Sequence, residues 1–205
     1  MPIANTFAKV THSATLRASL ERVSLYLTTY ETLKSAIIER VKGFFSDGWT
    51  ITEDGELDAQ LSAEYKNRVI TLQSRDELTA CCLFLRDISC LSDDQIETIK
   101  RLRSHRNSVA HEIVSYITRP DRHVDPQFIA DAYRLVKHID LWWIREFELP
   151  LNPDWTPEMI DEVRWDEVTG GYSFLLEMIL PLFDGDTSEL DRIHEHLENN
   201  LNKEG

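Results

Sequence analysis

Residues 13–46, SATLRASLERVSLYLTTYETLKSAIIERVKGFFS, decide the fold class. Within them Leu16, Leu20, Val23, Leu27, Tyr30, Ile37, Val41 and Phe44 recur at spacings of three, four and seven. That is the period of one apolar stripe on a helix, not the alternation of a strand. At ~1.5 Å per residue such a helix is on the order of 50 Å long. A stripe this long and narrow needs a second helical surface along its length, in an antiparallel bundle or a dimer seam. Asp47-Gly48 ends it.

Further elements follow from the same reasoning. The segment 48–60, with Trp49, Ile51 and Asp54-Gly55, is the one plausible hairpin, and it is short. A second helix is predicted over about 61–89, breaking near Gln73-Ser74; its part from Arg75 through Cys81, Cys82, Leu83 and Leu85 is apolar on most sides, as a buried element would be. Ser92, with Gln95 three residues on, opens a third helix through a capping box, which continues to Thr118 before Arg119-Pro120 stops it. Asp125-Pro126 starts a fourth, an N-cap followed by proline at the first helical position, running to about Phe147. Pro150, Pro153 and Pro157 punctuate a connector, and shorter helices are predicted from Thr156 to Asp166, over 172–183 and over 187–202. No internal repeat is present. The expected fold is all-α, an up-and-down four-helix bundle core over residues 1–149 with additional acidic C-terminal helices, 150–205, packed on the same domain.

A chain of 205 residues with 42% hydrophobic content can bury one sizeable core. No apolar run approaches the roughly 20 residues that span a bilayer, and Met1 to Val10 lacks the pattern of a secretory signal. Cys81, Cys82 and Cys90 read as small buried residues of a reduced protein, so the expected location is cytoplasmic, with no membrane partner. The net charge of −14 is uneven. Residues 1–145 hold 20 acids and 19 bases, whereas residues 146–205 hold 16 acids against Arg164, Arg192 and Lys203. Residues 100–122 form a basic island, with Lys100, Arg101, Arg103, Arg106, Arg119 and Arg122 against Glu112 and Asp121. A protein that coats nucleic acid by bulk charge would be basic throughout, which this one is not. A local basic patch in an acidic surround can still receive a phosphate.

The island contains Arg106-Asn107-Ser108-Val109-Ala110-His111. On a helical wheel Arg106 falls among Ile99, Leu102, Val109 and Ile113, so it either meets an acid or lines a cleft. Asn107 lies about 100° and His111 about 140° round from it, so Arg106 and His111 share one site only if the helix is irregular or a second subunit closes the cleft. The residue types suit metal-free RNA cleavage. His111 can take the proton of a 2′-hydroxyl, Arg106 offers a planar fork to the phosphate, and Asn107 can orient either. Lys100, Arg103 and His105 are candidate phosphate contacts, although His105 falls more readily on the solvated side. The bland counterpart is a buried ion pair at Arg106, a packing role for His111 and a solvated Asn107. His194-Glu195-His196 invites a metal reading, but histidines two apart on a helix diverge, and no cofactor or metal is expected. Trp142-Trp143 fits a core or dimer seam better than a base-stacking platform.

This motif resembles the Arg-(polar)-x(3–5)-His signature of the HEPN superfamily, small α-helical bundles that include toxins, phage-defence effectors and CRISPR-associated ribonucleases. The resemblance covers roughly residues 13–147 and leaves the acidic helices after Pro150 unaccounted for. It implies a homodimer whose two motifs face each other across a cleft, with metal-independent endoribonuclease activity at Arg106, Asn107 and His111. It further implies RNA as substrate and an antitoxin or defence-system protein as partner. Some members of that superfamily have lost catalysis, so two rivals stand beside the enzyme: a non-catalytic helical interaction module whose acidic C-terminal third docks a basic partner, and a bundle that binds a nucleotide ligand.

Overall fold

The computed structural model describes residues 10–52, 55, 57–184, 188, 192 and 193, and the helix expected over 187–202, with His194-Glu195-His196, lies almost wholly outside them. The fold is all-α with one small hairpin. Helix α1 (Ser13–Phe44) leads into β1 (Ser46–Ile51) and β2 (Leu57–Leu61), followed by α2 (Ala63–Arg68) and a 3-10 turn at Ile70–Leu72. Then come α3 (Glu77–Asp87), α4 (Asp93–His111), α5 (Ile113–Thr118) and α6 (Pro126–Trp143). A π turn at Ile144–Glu148 joins α6 to α7 (Leu149–Leu151), and α8 (Pro157–Asp161) and α9 (Gly171–Ile179) complete the order with a 3-10 turn at Leu180–Asp184.

Helix α1 is the centre of the molecule and packs on α3, α4, α5, α6 and α9. Its apolar surface is wider than the stripe in the sequence. Between Thr29 and Val41 it buries Thr29, Tyr30, Thr32, Leu33, Ala36, Ile37, Ile38 and Val41, while Leu20 and Phe44 near its ends are exposed. Two threonines can lie on this buried surface because their hydroxyls donate back to the carbonyls of Leu25 and Thr28, at 2.8 and 2.9 Å.

The starts of α4 and α6 are made by the expected caps, whereas α1 ends at Phe44, before Asp47-Gly48, and α8 ends at Asp161 instead of Asp166. Ser92 and Gln95 close the capping box of α4 at 3.2 and 2.8 Å, and Asp125 accepts from the Gln127 amide at 2.9 Å before Pro126. Helix α3 ends in a Schellman turn, with the Cys90 amide on the Leu85 carbonyl at 2.8 Å and Ser89 at φ 63 in the left-handed position where glycine is usual. The helix expected to run unbroken to Thr118 is divided. Glu112, at φ −117 and ψ 28, ends α4, and α5 turns away from it. Ile113, placed on the buried stripe by the sequence, is exposed for that reason.

The C-terminal segment is tied to the core at Glu177, which accepts from Tyr133 at 2.7 Å and pairs with Lys137 at 3.5 Å, and at a buried polar node. Asp140 on α6 is fully buried, accepts from Arg40 at 2.8 Å, and caps α9 by accepting from the Ser173 amide and hydroxyl at 2.7 and 2.9 Å. Arg40 also pairs with Glu148. Gly170 is required beside this node, since a Cβ there would lie 2.5 Å from the Cβ of Asp140. Leu176 on α9 is wholly buried against the same core. Among the described residues, no helix is long and apolar enough to cross a membrane.

Candidate functional site: a charged cleft between three helices

Arg106 lies where α4 crosses α1. Its Nε and Nη2 both donate to Oε1 of Glu31, at 2.9 and 2.5 Å, and its guanidinium rests over the Tyr30 ring at 5.8 Å. Nη1 points to Asn107 Oδ1 at 3.4 Å, so in this chain Asn107 orients the arginine. Arg106 thus meets an acid and lines a cleft at once. Its side chain keeps 35% of its exposure and that of Glu31 keeps 43%.

The cleft, about 310 Å³, has walls from α1 (Tyr30, Glu31, Lys34, Ile38), from the start of α3 (Arg75 to Leu78) and from α4 (Arg103, Arg106, Asn107). Four cations therefore face three acids. Arg103 pairs with Asp76, which also caps α3 by accepting from the Thr79 amide and hydroxyl at 3.3 and 2.7 Å. Burial opposes ionisation of Asp76, but its bonds from Thr79 and Arg103 hold the carboxyl below the usual carboxylate range. Burial pushes the Tyr30 hydroxyl up, opposed by the charges of Arg103 and Arg106.

Of the sequence candidates, Arg103, Arg106 and Asn107 share this cleft, and three others do not. Lys100 is exposed on α4 and pairs with Glu97 at 2.6 Å. His111, the last residue of α4, is exposed and is not among the residues of the cleft wall. Since α4 is regular through His111 and breaks only at Glu112, the irregularity comes one residue too late to swing the two side chains together.

His105 corrects the sequence reading outright. It is not on the solvated side but in an aromatic box, stacked on Phe128 at 4.3 Å with planes 11° apart, and beside Tyr26 and Tyr116 at 5.0 and 5.8 Å. Its Nε2 is buried without a hydrogen-bond partner, and burial lowers its pKa, opposed by the nearby Asp125 carboxylate. The buried Nε2 is closed to a phosphate in this arrangement. Tyr116 reaches the ring from α5, with its hydroxyl 3.1 Å from that of Ser108.

The basic island is more neutral in space than in sequence, because Lys100, Arg103 and Arg106 pair with acids from outside it, Glu97, Asp76 and Glu31. Trp143 is buried against Phe147 and offers no face to a base. Burial pushes the thiols of Cys81, Cys82 and Cys90 up to about 12, far from a nucleophile's range. Sequence reasoning missed Glu31, Asp76 and Arg75, all distant in sequence from the motif. The wheel position of Arg106, a charge in an apolar stripe, signalled that an acid was needed but not which one. Comparison of the chain with protein-family models, with curated proteins and with solved structures finds no match to any of them.

Proposed function

We propose that the protein is an RNA-directed helical effector of the toxin–antitoxin or phage-defence kind, which binds RNA phosphate at Arg106 and, as a homodimer, cleaves RNA without a metal ion. The observation that carries this reading is the placement of Arg106. A charge in the middle of an apolar stripe is not buried as a structural ion pair but held half-exposed at a cleft with Arg103, Lys34, Arg75 and Asn107. A guanidinium there carries the planar donor edge that suits a phosphate, now bonded to Glu31, and once on a phosphate it stabilises charge that grows on the phosphorus oxygens during attack by the neighbouring 2′-hydroxyl. His111, exposed at the end of α4, is free to accept that hydroxyl's proton across a dimer cleft.

The second reading, a non-catalytic interaction module, is favoured by one observation: Arg103 and Arg106 each carry an acid partner, and His111 stands apart from their cleft. Incubation with single-stranded RNA in EDTA separates the two. The ribonuclease reading predicts cleavage that survives chelation and leaves 2′,3′-cyclic phosphate ends. Intact RNA, or cleavage that vanishes in EDTA and returns with magnesium, contradicts it.

A further inference from the structure

We infer that Glu31 is a gate on the Arg106 fork, which an entering RNA phosphate must displace; the inference rests on the RNA-binding reading above. The edge of a guanidinium formed by Nε and one terminal nitrogen is the edge that grips a phosphate through two parallel bonds. In this chain that edge is occupied, since Nε and Nη2 of Arg106 both donate to Glu31 Oε1, at 2.9 and 2.5 Å. A carboxylate and a phosphate cannot use it together, and the carboxylate's charge repels any anion approaching the cleft.

The two acid-paired arginines of the cleft differ in one respect. Asp76, the partner of Arg103, is also the N-cap of α3, bonded to the Thr79 amide and hydroxyl, so releasing it uncaps a helix. Glu31 has no such duty. It sits half-exposed in the middle of α1, where an ion pair is weakened by water and salt. It also has somewhere to go, because Lys34, one turn on, already stands 3.5 Å from its other oxygen. Tyr30 under the guanidinium keeps the fork in plane when the carboxylate leaves. An anion entering the cleft therefore displaces Glu31 and leaves Asp76 in place.

The gate is tested by fluorescence anisotropy with a single-stranded oligoribonucleotide, 2′-O-methylated throughout so that it cannot be cut. Wild type is compared with Glu31→Gln, Arg106→Ala and the double variant. Glu31→Gln preserves side-chain shape and removes one negative charge within ~4 Å of the fork, so affinity should tighten about five- to tenfold. The gain should vanish in the double variant, and Glu31→Gln should melt close to wild type. If Glu31→Gln binds no tighter while Arg106→Ala still weakens binding, the gate is wrong and the phosphate role of Arg106 stands. Tightening that persists in the double variant also overturns the gate, as it reports bulk charge alone. If Arg106→Ala binds as wild type does, the gate and the RNA-binding reading fall together.

Discussion

Two histidines on α4, six residues apart, have opposite surroundings, and chemistry separates them. His111 is exposed at the helix end, whereas His105 is stacked on Phe128 with an unsatisfied buried nitrogen. Burial disfavours the imidazolium of His105, so its folded pKa lies below the unfolded value of about 6.5. Between those two values the unfolded chain binds more protons than the folded one. Stability therefore rises as pH rises through this window and falls as pH drops through it. Urea titrations of wild type and His105→Phe from pH 7.5 to 5.5 should show a steeper loss on acidification in wild type; a parallel or reversed trend would show that the box tolerates the charged ring. The sequence did not disclose the box, because its other walls, Tyr26, Tyr116 and Phe128, come from three other helices. Arg106 was more legible. A charge among Ile99, Leu102 and Val109 called for an acid or a cleft, and both are present.

The elements were legible in proportion to how local their signals are. The caps at Ser92, Asp125 and Thr156 act over three residues, and each forms as the sequence indicates. The break at Glu112 was not legible. It sits in a run with neither glycine nor proline, and the residues that Tyr116 meets beyond it, Ser108 and His105, precede the break. Nor was the node that fastens α9, since Asp140 meets Arg40 and Ser173 from segments 100 and 33 residues away. The node yields a sharp expectation. Gly170→Ala would drive a methyl into Asp140 and separate a buried carboxylate from both its partners. The chain should lose about 3 kcal/mol of stability by chemical denaturation. A variant within about 0.5 kcal/mol of wild type would mean that α9 is held by Leu176 and by the bonds of Glu177 to Tyr133 and Lys137, not by the Asp140 node.

For the molecule as a whole, the all-α class was written in the periodicity of residues 13–44, and the divergence of Arg106 and His111 in their spacing on one helix. Within one chain Arg106 faces α1 across the cleft, while His111 lies about 140° round the same regular helix. One site can use both only if they come from two chains. Two active-site variants, each inactive alone, should then complement one another. Arg106→Ala and His111→Ala, both expected to fold and to melt near wild type because Arg106 is half-exposed with a half-exposed partner and His111 is exposed, should each lose cleavage of single-stranded RNA in EDTA. Co-expressed so that mixed dimers form, they should regain activity, since one cleft in each mixed dimer receives an intact Arg106 from one protomer and an intact His111 from the other. The decisive readout is the rate at which 2′,3′-cyclic phosphate ends appear in the mixed preparation. Recovery to about a quarter of the wild-type rate is the predicted result, because random pairing makes about half of the dimers mixed and each has one intact cleft of two; folded single variants that cleave at the full wild-type rate, or a mixture as inactive as its parts, would contradict it.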